Sequence, residues 1–388
     1  MLALSPEQLA AVGHGGGPLL VLGGAGTGKT TVLVERFAHL AAAGAPPESL
    51  LVLCYSTAAA VAMRERLEDR LEGAYEELPI ATFHGFCARL LRDEAFEAGL
   101  DPFATPVSAA DRLAMLLERI DDLPLRHHDL RGNPSATLGA IVQRIDRLKD
   151  ELVSAEDYAA WANGLPDDRA REREFAALYA AHETMLADAG TLDVGDLVLQ
   201  AFRLLREREH VRERLARRQR HVLVDELQDA SFAQGLLLRL LVAGHGGITA
   251  AADDDQSIHR FRGAATKNIA DFRAEWPRAT IVRLERSFRS GEEILRAAHA
   301  VVAPAEERIE KELHGIESHP PGVIAFWRCS SERAQAQAVA AEVERLVARE
   351  DVAPEDVCVL VRSVRGEGQA VAVAFEERAV PYLSLIHI

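Results

Sequence analysis

The sequence predicts an α/β protein built around a parallel sheet, and three observations carry that prediction. The string GGAGTGKT at 23–30 fits G-x-x-x-x-G-K-[ST], with an apolar run at 19–22 before it and helical spacing at 31–40 after it. A second short apolar run, at 221–224, ends in Asp225 and Glu226 within VDELQD. Further apolar strands are read at 50–54, in a separate run that leads into Thr82, at 247–252 and at 280–284, with helical stretches between them.

The first string is a strand–loop–helix that wraps the phosphates of a nucleoside triphosphate. Gly23, Gly26 and Gly28 let the backbone turn its N–H groups inward, toward a helix N-terminus that favours anions. Lys29 can reach the β- and γ-phosphates, and the Thr30 hydroxyl can ligate Mg²⁺. Gly24, Ala25, Thr27 and Thr31 complete the expected nucleotide contacts. In a parallel sheet ligands gather at the carboxyl ends of the strands, so Asp225 and Glu226 are expected beside this loop. Asp225 is assigned to the metal and Glu226 to the attacking water. The bland reading of the two acids is a solvated strand end.

At 388 residues there is room for two or more domains, and 48% hydrophobic with 27% charged residues is ordinary for a soluble globular chain. No basic segment followed by an apolar one opens the sequence, and no apolar run approaches a membrane span; a cytoplasmic location without membrane contact is expected. Cys54, Cys87, Cys329 and Cys358 form no CxxC pair and read as buried reduced thiols. A net charge of −16 argues against a strongly basic, sequence-reading DNA protein, but not against local grip on single strands. The stretch 203–220, with eight arginines and three glutamates, is read as a solvated helix face or a phosphate-contacting patch. His127, His128 and Asp129 read as a polar loop, with a metal site as the sharper alternative.

Residues 92–197 are rich in Ala, Leu, Arg and Glu. Ser108 with Asp111 and Ser154 with Asp157 fit the S-x-x-D pattern of helix starts. A helical insertion over 92–197 is predicted, splitting a first α/β domain into 1–91 and 198–283. A second α/β unit is predicted over 284–382, with strands near 323–327 and 357–361. The last six residues, LSLIHI at 383–388, are what the transposon-end DNA string CTGTCTCTTATACACATC encodes. They are read as an artefact outside the fold, against the alternative of an ordinary apolar strand.

Four further strings carry a resemblance: LSPEQLAAV at 4–12, TFHGF at 82–86, DDDQSIHRFRGA at 253–264 and LERSFRS at 284–290. In this order and spacing the chain resembles, over 1–382, the superfamily 1 DNA helicases of the UvrD/Rep/PcrA type. The resemblance implies a RecA-like P-loop NTPase domain (1A), a helical insertion (1B) and the start of a second RecA-like domain (2A). It also implies ATP and Mg²⁺ as cofactors, 3′→5′ movement, and a role in repair, recombination or replication, with unidentified repair or recombination proteins as further partners. The expected nucleic-acid partners are single-stranded DNA and its junctions with duplex; the expected setting is bacterial and nucleoid-associated.

By matching position, Gln8 resembles the adenine-reading glutamine; within SPEQ it also fits a capping box with Pro at the first helical turn. Gln256 resembles the glutamine that senses the γ-phosphate. Arg289 resembles an arginine finger in cis, which neutralises charge on the transferring phosphoryl group. Phe288 is placed to stack on adenine. For DNA, the resemblance gives backbone contacts to Thr82 and His84, and base stacking to Phe261 and Tyr55 with Arg262 nearby. Without it, Phe261 and Tyr55 read as core aromatics. His259, where the family has Tyr, keeps stacking or hydrogen-bonding capacity. Ala58 stands where Lys is common, Ala252 where Gly is usual, and Ser287 where Asn is usual.

Two other readings stay open on the sequence: the motor portion of a RecB/AddA-type helicase–nuclease subunit, and a catalytically weak ATP- and DNA-binding scaffold. Because the family's later motifs would lie beyond 382, the 388-residue chain is expected to bind nucleotide weakly and not to unwind DNA alone.

Overall fold

The computed structural model describes residues 4–71, 75–128, 132–166, 169–257, 267–305 and 308–384. Its strands, in chain order, are β1 (Leu19–Gly23), β2 (Leu50–Cys54), β3 (Ile80–Thr82), β4 (Pro106–Val107), β5 (Leu192–Asp193), β6 (His221–Val224), β7 (Ile248–Ala252), β8 (Thr280–Leu284), β9 (Arg286–Ser287) and β10 (His314–Gly315). Six of them form one parallel sheet in the order β3-β2-β6-β7-β1-β8. The predicted α/β class with a parallel sheet is what the chain adopts.

Successive strand residues point to opposite faces, and the two faces feed separate cores. Leu20, Leu22, Leu51, Leu53, Val222 and Val224 pack with residues of the helices Phe83–Asp93, Val194–Glu207 and Phe232–Val242. Leu19, Val21, Leu50, Val52, Ile80 and Leu223 pack with residues of Pro6–Val12, Lys29–Ala42 and Thr57–Glu68. Burial on both faces is why these strands read as continuous apolar runs rather than as alternating ones. Arg36 is buried on the second face, where Nε donates to Thr249 Oγ1 at 2.8 Å and Nη1 to the carbonyls of Ala11, Val12 and His14. That ties the first helix, which carries Gln8, to the sheet.

The sheet order explains how distant motifs meet. β6 and β7 lie between β2 and β1 in the sheet, although a long helical stretch separates them from both along the chain. A separate apolar core is made within that stretch by Leu116, Leu138, Ile141, Ile145, Phe175 and Tyr179 and their neighbours. Both S-x-x-D starts form capping boxes there, at Ser108 and Ser154. The helix Phe83–Asp93 and its continuation at Ala95–Ala98 belong with the sheet instead. A buried charge cluster braces the helical stretch: Lys149 Nζ lies 2.8 Å from Glu183, 2.9 Å from Asp193 and 2.6 Å from Asp196. Arg112 Nη1 joins it at 2.9 Å from Asp193.

The chain divides into two units between Gly322 and Val323. The unit from 323 onward has a core of Ala336, Ala340 and Val343 from Glu332–Glu350 against Ala374, Phe375 and Val380. The strands expected near 323–327 and 357–361 do not form; these stretches carry no ladder among the described residues. Apolar sequence alone does not make a strand when no neighbouring backbone accepts its hydrogen bonds. Phe326 and Leu360 are accordingly exposed.

Smaller expectations meet mixed outcomes. Cys54 and Cys87 are buried, but Cys329 is half-buried and Cys358 exposed, because they lie outside the sheet's core. In the 203–220 stretch Arg208, Arg212, Arg214 and Arg217 face glutamates, the pattern of a solvated helix face. The backbone N–H groups of Arg126, His127 and His128 all donate to the Glu174 carboxylate; Asp129 lies outside the described residues. No helix among the described residues is long and apolar enough to cross a membrane. Of the final six residues, 385–388 lie outside the described residues.

Candidate active site

A cleft of about 760 Å³ opens at the carboxyl ends of β1, β6 and β7. Its walls include Gln8, the loop from Gly24 to Thr31, Glu226, Gln256, Phe288 and Arg289. The loop leaves β1 at Gly23 and enters the helix Lys29–Ala42 through Gly28, whose φ of +84° only glycine takes without strain. Gly26, at φ +75°, is also crowded: a Cβ there would stand 2.5 Å from Arg289 Cβ and 2.7 Å from Ser287 Oγ. Its missing side chain lets the 287–289 segment approach.

That segment is hydrogen-bonded to the loop. Phe288 N donates to Gly26 O at 2.8 Å, and Ser287 Oγ donates to Ala25 O at 3.0 Å. Ser287 is buried, and its oxygen also accepts from Arg289 N and Ser290 N. Serine at this departure from the family pattern therefore still organises the turn that presents Arg289.

Gln8 closes the capping box with Ser5 through its backbone and side chain, and its Nε2 donates to Thr27 O at 3.0 Å. The amide thus lies against the phosphate loop itself.

Lys29 Nζ is buried and lies 3.6 Å from Glu226 Oε2. Thr30 Oγ1 donates to Asp225 Oδ2 at 3.3 Å, while Asp225 Oδ1 is buried without a hydrogen-bond partner. Burial, reinforced by the neighbouring Glu226 charge, pushes the Asp225 carboxyl up to about 6 despite the pull of Lys29 and Thr30. A buried carboxylate oxygen with no donor, beside a hydroxyl, offers the hard oxygen ligands that a divalent cation takes. Glu226 itself sits at φ 51°, ψ 54°, in the left-handed region. A non-glycine residue stays there only when its surroundings hold it.

From β7, Asp253 caps the turn Asp254–Gln256, and Gln256 Nε2 donates to Asp253 Oδ2 at 2.6 Å. Sequence reasoning missed what neutralises this acidic run. Lys311 Nζ lies 2.8 Å from Asp253 and 3.1 Å from Asp255, and also contacts Asp254. Arg308 pairs with Asp255 through Nε at 2.6 Å and Nη2 at 3.1 Å. The signal was present in RIEKEL at 308–313, cations three residues apart, but nothing in that string says which acids they meet. Gln228 and Asn268 were missed too. Asn268 Nδ2 donates to Leu227 O at 3.1 Å and Ala230 O at 2.6 Å, fixing the turn after Glu226.

Of the residues expected at DNA, Tyr55, Thr82 and His84 do not line the cleft. Tyr55 follows β2 directly, and Thr82 ends β3, paired in register with Cys54. Thr82 Oγ1 accepts from Gly85 N at 3.0 Å as the cap of Phe83–Asp93, and burial lowers the pKa of the His84 imidazole. His259, Phe261 and Arg262 lie outside the described residues.

Parallel sheet, phosphate loop and strand-end acids define a P-loop α/β protein. The comparisons narrow the class. Residues 4–277 match the family model described as UvrD/REP helicase N-terminal domain, and the chain belongs to that family. It is 35% identical over 395 aligned positions to the ATP-dependent DNA helicase UvrD1 of Mycobacterium leprae, covering 98% of this chain and 49% of that protein. It is 31% identical to the ATP-dependent DNA helicase PcrA of Bacillus subtilis, covering 93% and 47%, and 32% identical to a probable DNA helicase II homolog of Rickettsia felis, covering 98% and 56%. The chain therefore spans about half the length of the curated relatives it matches.

Proposed function

We propose that this chain carries the ATP-hydrolysing part of a DNA helicase that moves 3′→5′ along single-stranded DNA in repair, recombination or replication. The observation that carries the reading is the partnerless, buried Asp225 Oδ1 beside Thr30 at the phosphate loop. Thr30 and Asp225 would hold Mg²⁺, which supplies neutralisation of phosphate oxygens when bound. Lys29 turns from Glu226 to the β- and γ-phosphates. Glu226, so released, orients the attacking water and accepts its proton. Gln256 reports on the γ-phosphate, and Arg289 offsets charge on the transferring group. Gln8 and Phe288 bound the adenine end.

In this reading, 1–91 and 198–283 form domain 1A, 92–197 the insertion 1B, and 284–382 part of 2A. Tyr55, Thr82 and His84, at the ends of β2 and β3, meet the strand on the other side of Asp225, with His259, Phe261 and Arg262 completing the contact. Acting on chromosomal DNA, at single-strand–duplex junctions, the protein would work in the cytoplasm at the nucleoid. The test is ATP turnover with and without single-stranded DNA. Stimulation is expected, and Glu226→Gln should retain ATP binding while lowering turnover by about 100-fold or more. Turnover indifferent to single strands would sink the motor reading.

A further inference from the structure

Gln228 stands two residues beyond Glu226, is buried, and uses both ends of its amide. Nε2 donates to Glu226 Oε2 at 2.7 Å, and Oε1 accepts from Asp253 N at 2.9 Å. This orientation is dictated by the partners, because a backbone N–H only donates and an ionised carboxylate only accepts. Asp253 is buried in turn, with one oxygen on Gln256 Nε2 at 2.6 Å and the other 2.8 Å from Lys311 Nζ. An unbroken relay, Glu226–Gln228–Asp253–Gln256, therefore joins the carboxyl ends of β6 and β7. Among the described residues, two neighbours restrain the Glu226 carboxylate, Lys29 at 3.6 Å and Gln228 at 2.7 Å. Once phosphates draw Lys29 away, Gln228 is the restraint that stays.

We propose that Gln228 is a positioning residue for ATP hydrolysis: it holds Glu226 Oε2, aims the second carboxylate oxygen at the water, and through Asp253 links that aim to the position of Gln256. The proposal rests on the reading of Glu226 as the water-orienting group. Gln228 makes and breaks no covalent bond.

The test is single-strand-stimulated ATP turnover by the full chain. Gln228→Met keeps the length and removes both hydrogen bonds; kcat should fall about 10- to 100-fold. KM for Mg-ATP should stay within about twofold, since phosphate binding is untouched. Gln228→Glu separates positioning from packing. At high pH it sets two carboxylates against each other, whereas at lower pH the pair shares a proton and the donated hydrogen bond to Glu226 returns. Turnover of Gln228→Glu should therefore recover relative to the unmodified chain as pH falls, and that of Gln228→Met should not. In a double-variant cycle, Glu226→Gln with Gln228→Met should be no slower than Glu226→Gln alone. Multiplying losses, or an unchanged kcat in Gln228→Met alongside an inactive Glu226→Gln, would overturn the relay. If Glu226→Gln itself turned over at the unmodified rate, the reading of the site would fail instead.

Discussion

Thr30 Oγ1 lies 3.3 Å from Asp225 Oδ2, although 195 residues separate the two along the chain. The strands that deliver them are not even neighbours, since β7 runs between β1 and β6. The side chains meet because all three strands end on the same edge of a parallel sheet, where the chain turns away and leaves room for a ligand.

Asp225 is costly to the nucleotide-free fold. Its pKa is raised from 3.8 to about 6, so the penalty is absent below the unfolded value, grows as pH rises between the two, and is complete above the folded value. Asp225→Asn should stabilise the nucleotide-free chain by about 1–3 kcal/mol at about pH 8, with the gain gone by about pH 4. Urea denaturation at the two pH values measures this. The same variant should weaken Mg-dependent nucleotide binding, the opposite sign to its effect on stability.

Gly26→Ala places a methyl group where Arg289 Cβ and Ser287 Oγ already stand, on a backbone at φ +75°. The 287–289 turn must retreat from the loop. Nucleotide affinity should drop about tenfold or more, a loss of about 1.4 kcal/mol, readable by fluorescent-nucleotide titration. Affinity equal to that of the unmodified chain would mean that the close approach is incidental.

Lys311→Met leaves Asp253, Asp254 and Asp255 with Arg308 as their remaining cation among the described residues. Stability should fall by about 2–4 kcal/mol near neutral pH. The loss should shrink in acid, where protonated carboxyls no longer repel. Denaturation midpoints across pH distinguish this from simple loss of packing, which would be pH-independent.

Lys149→Met removes the ammonium shared by Glu183, Asp193 and Asp196 in the helical stretch. Burial opposes its charge, but the surrounding acids more than offset that and raise the lysine's pKa. A cost of about 3–5 kcal/mol is expected. Amide exchange should quicken first around the helices Pro134–Asp150 and Val194–Glu207, while β1 and β2 stay protected.

Much of the fold was legible in the sequence. The apolar runs at 19–22, 50–54 and 221–224 became β1, β2 and β6 to within a residue, because strands buried on both faces need unbroken apolar sequence. The capping patterns at Ser5, Ser108 and Ser154 marked true helix starts, since a cap is a contact over three residues. The same reasoning failed at 323–327 and 357–361, where apolar content was present and no ladder forms among the described residues.

The site divides along the same line. The sequence by itself determined the phosphate loop's shape and the presence of two acids at a strand end, because both follow from backbone geometry within a few residues. Only the tertiary structure decided that Glu226 takes a left-handed conformation, that Gln228 bridges it to Asp253, and that Lys311 neutralises the acids beyond. Those facts depend on which strands are adjacent and which side chains are driven together out of water. Local sequence cannot specify them, since any donor of the right length could have met those carboxylates.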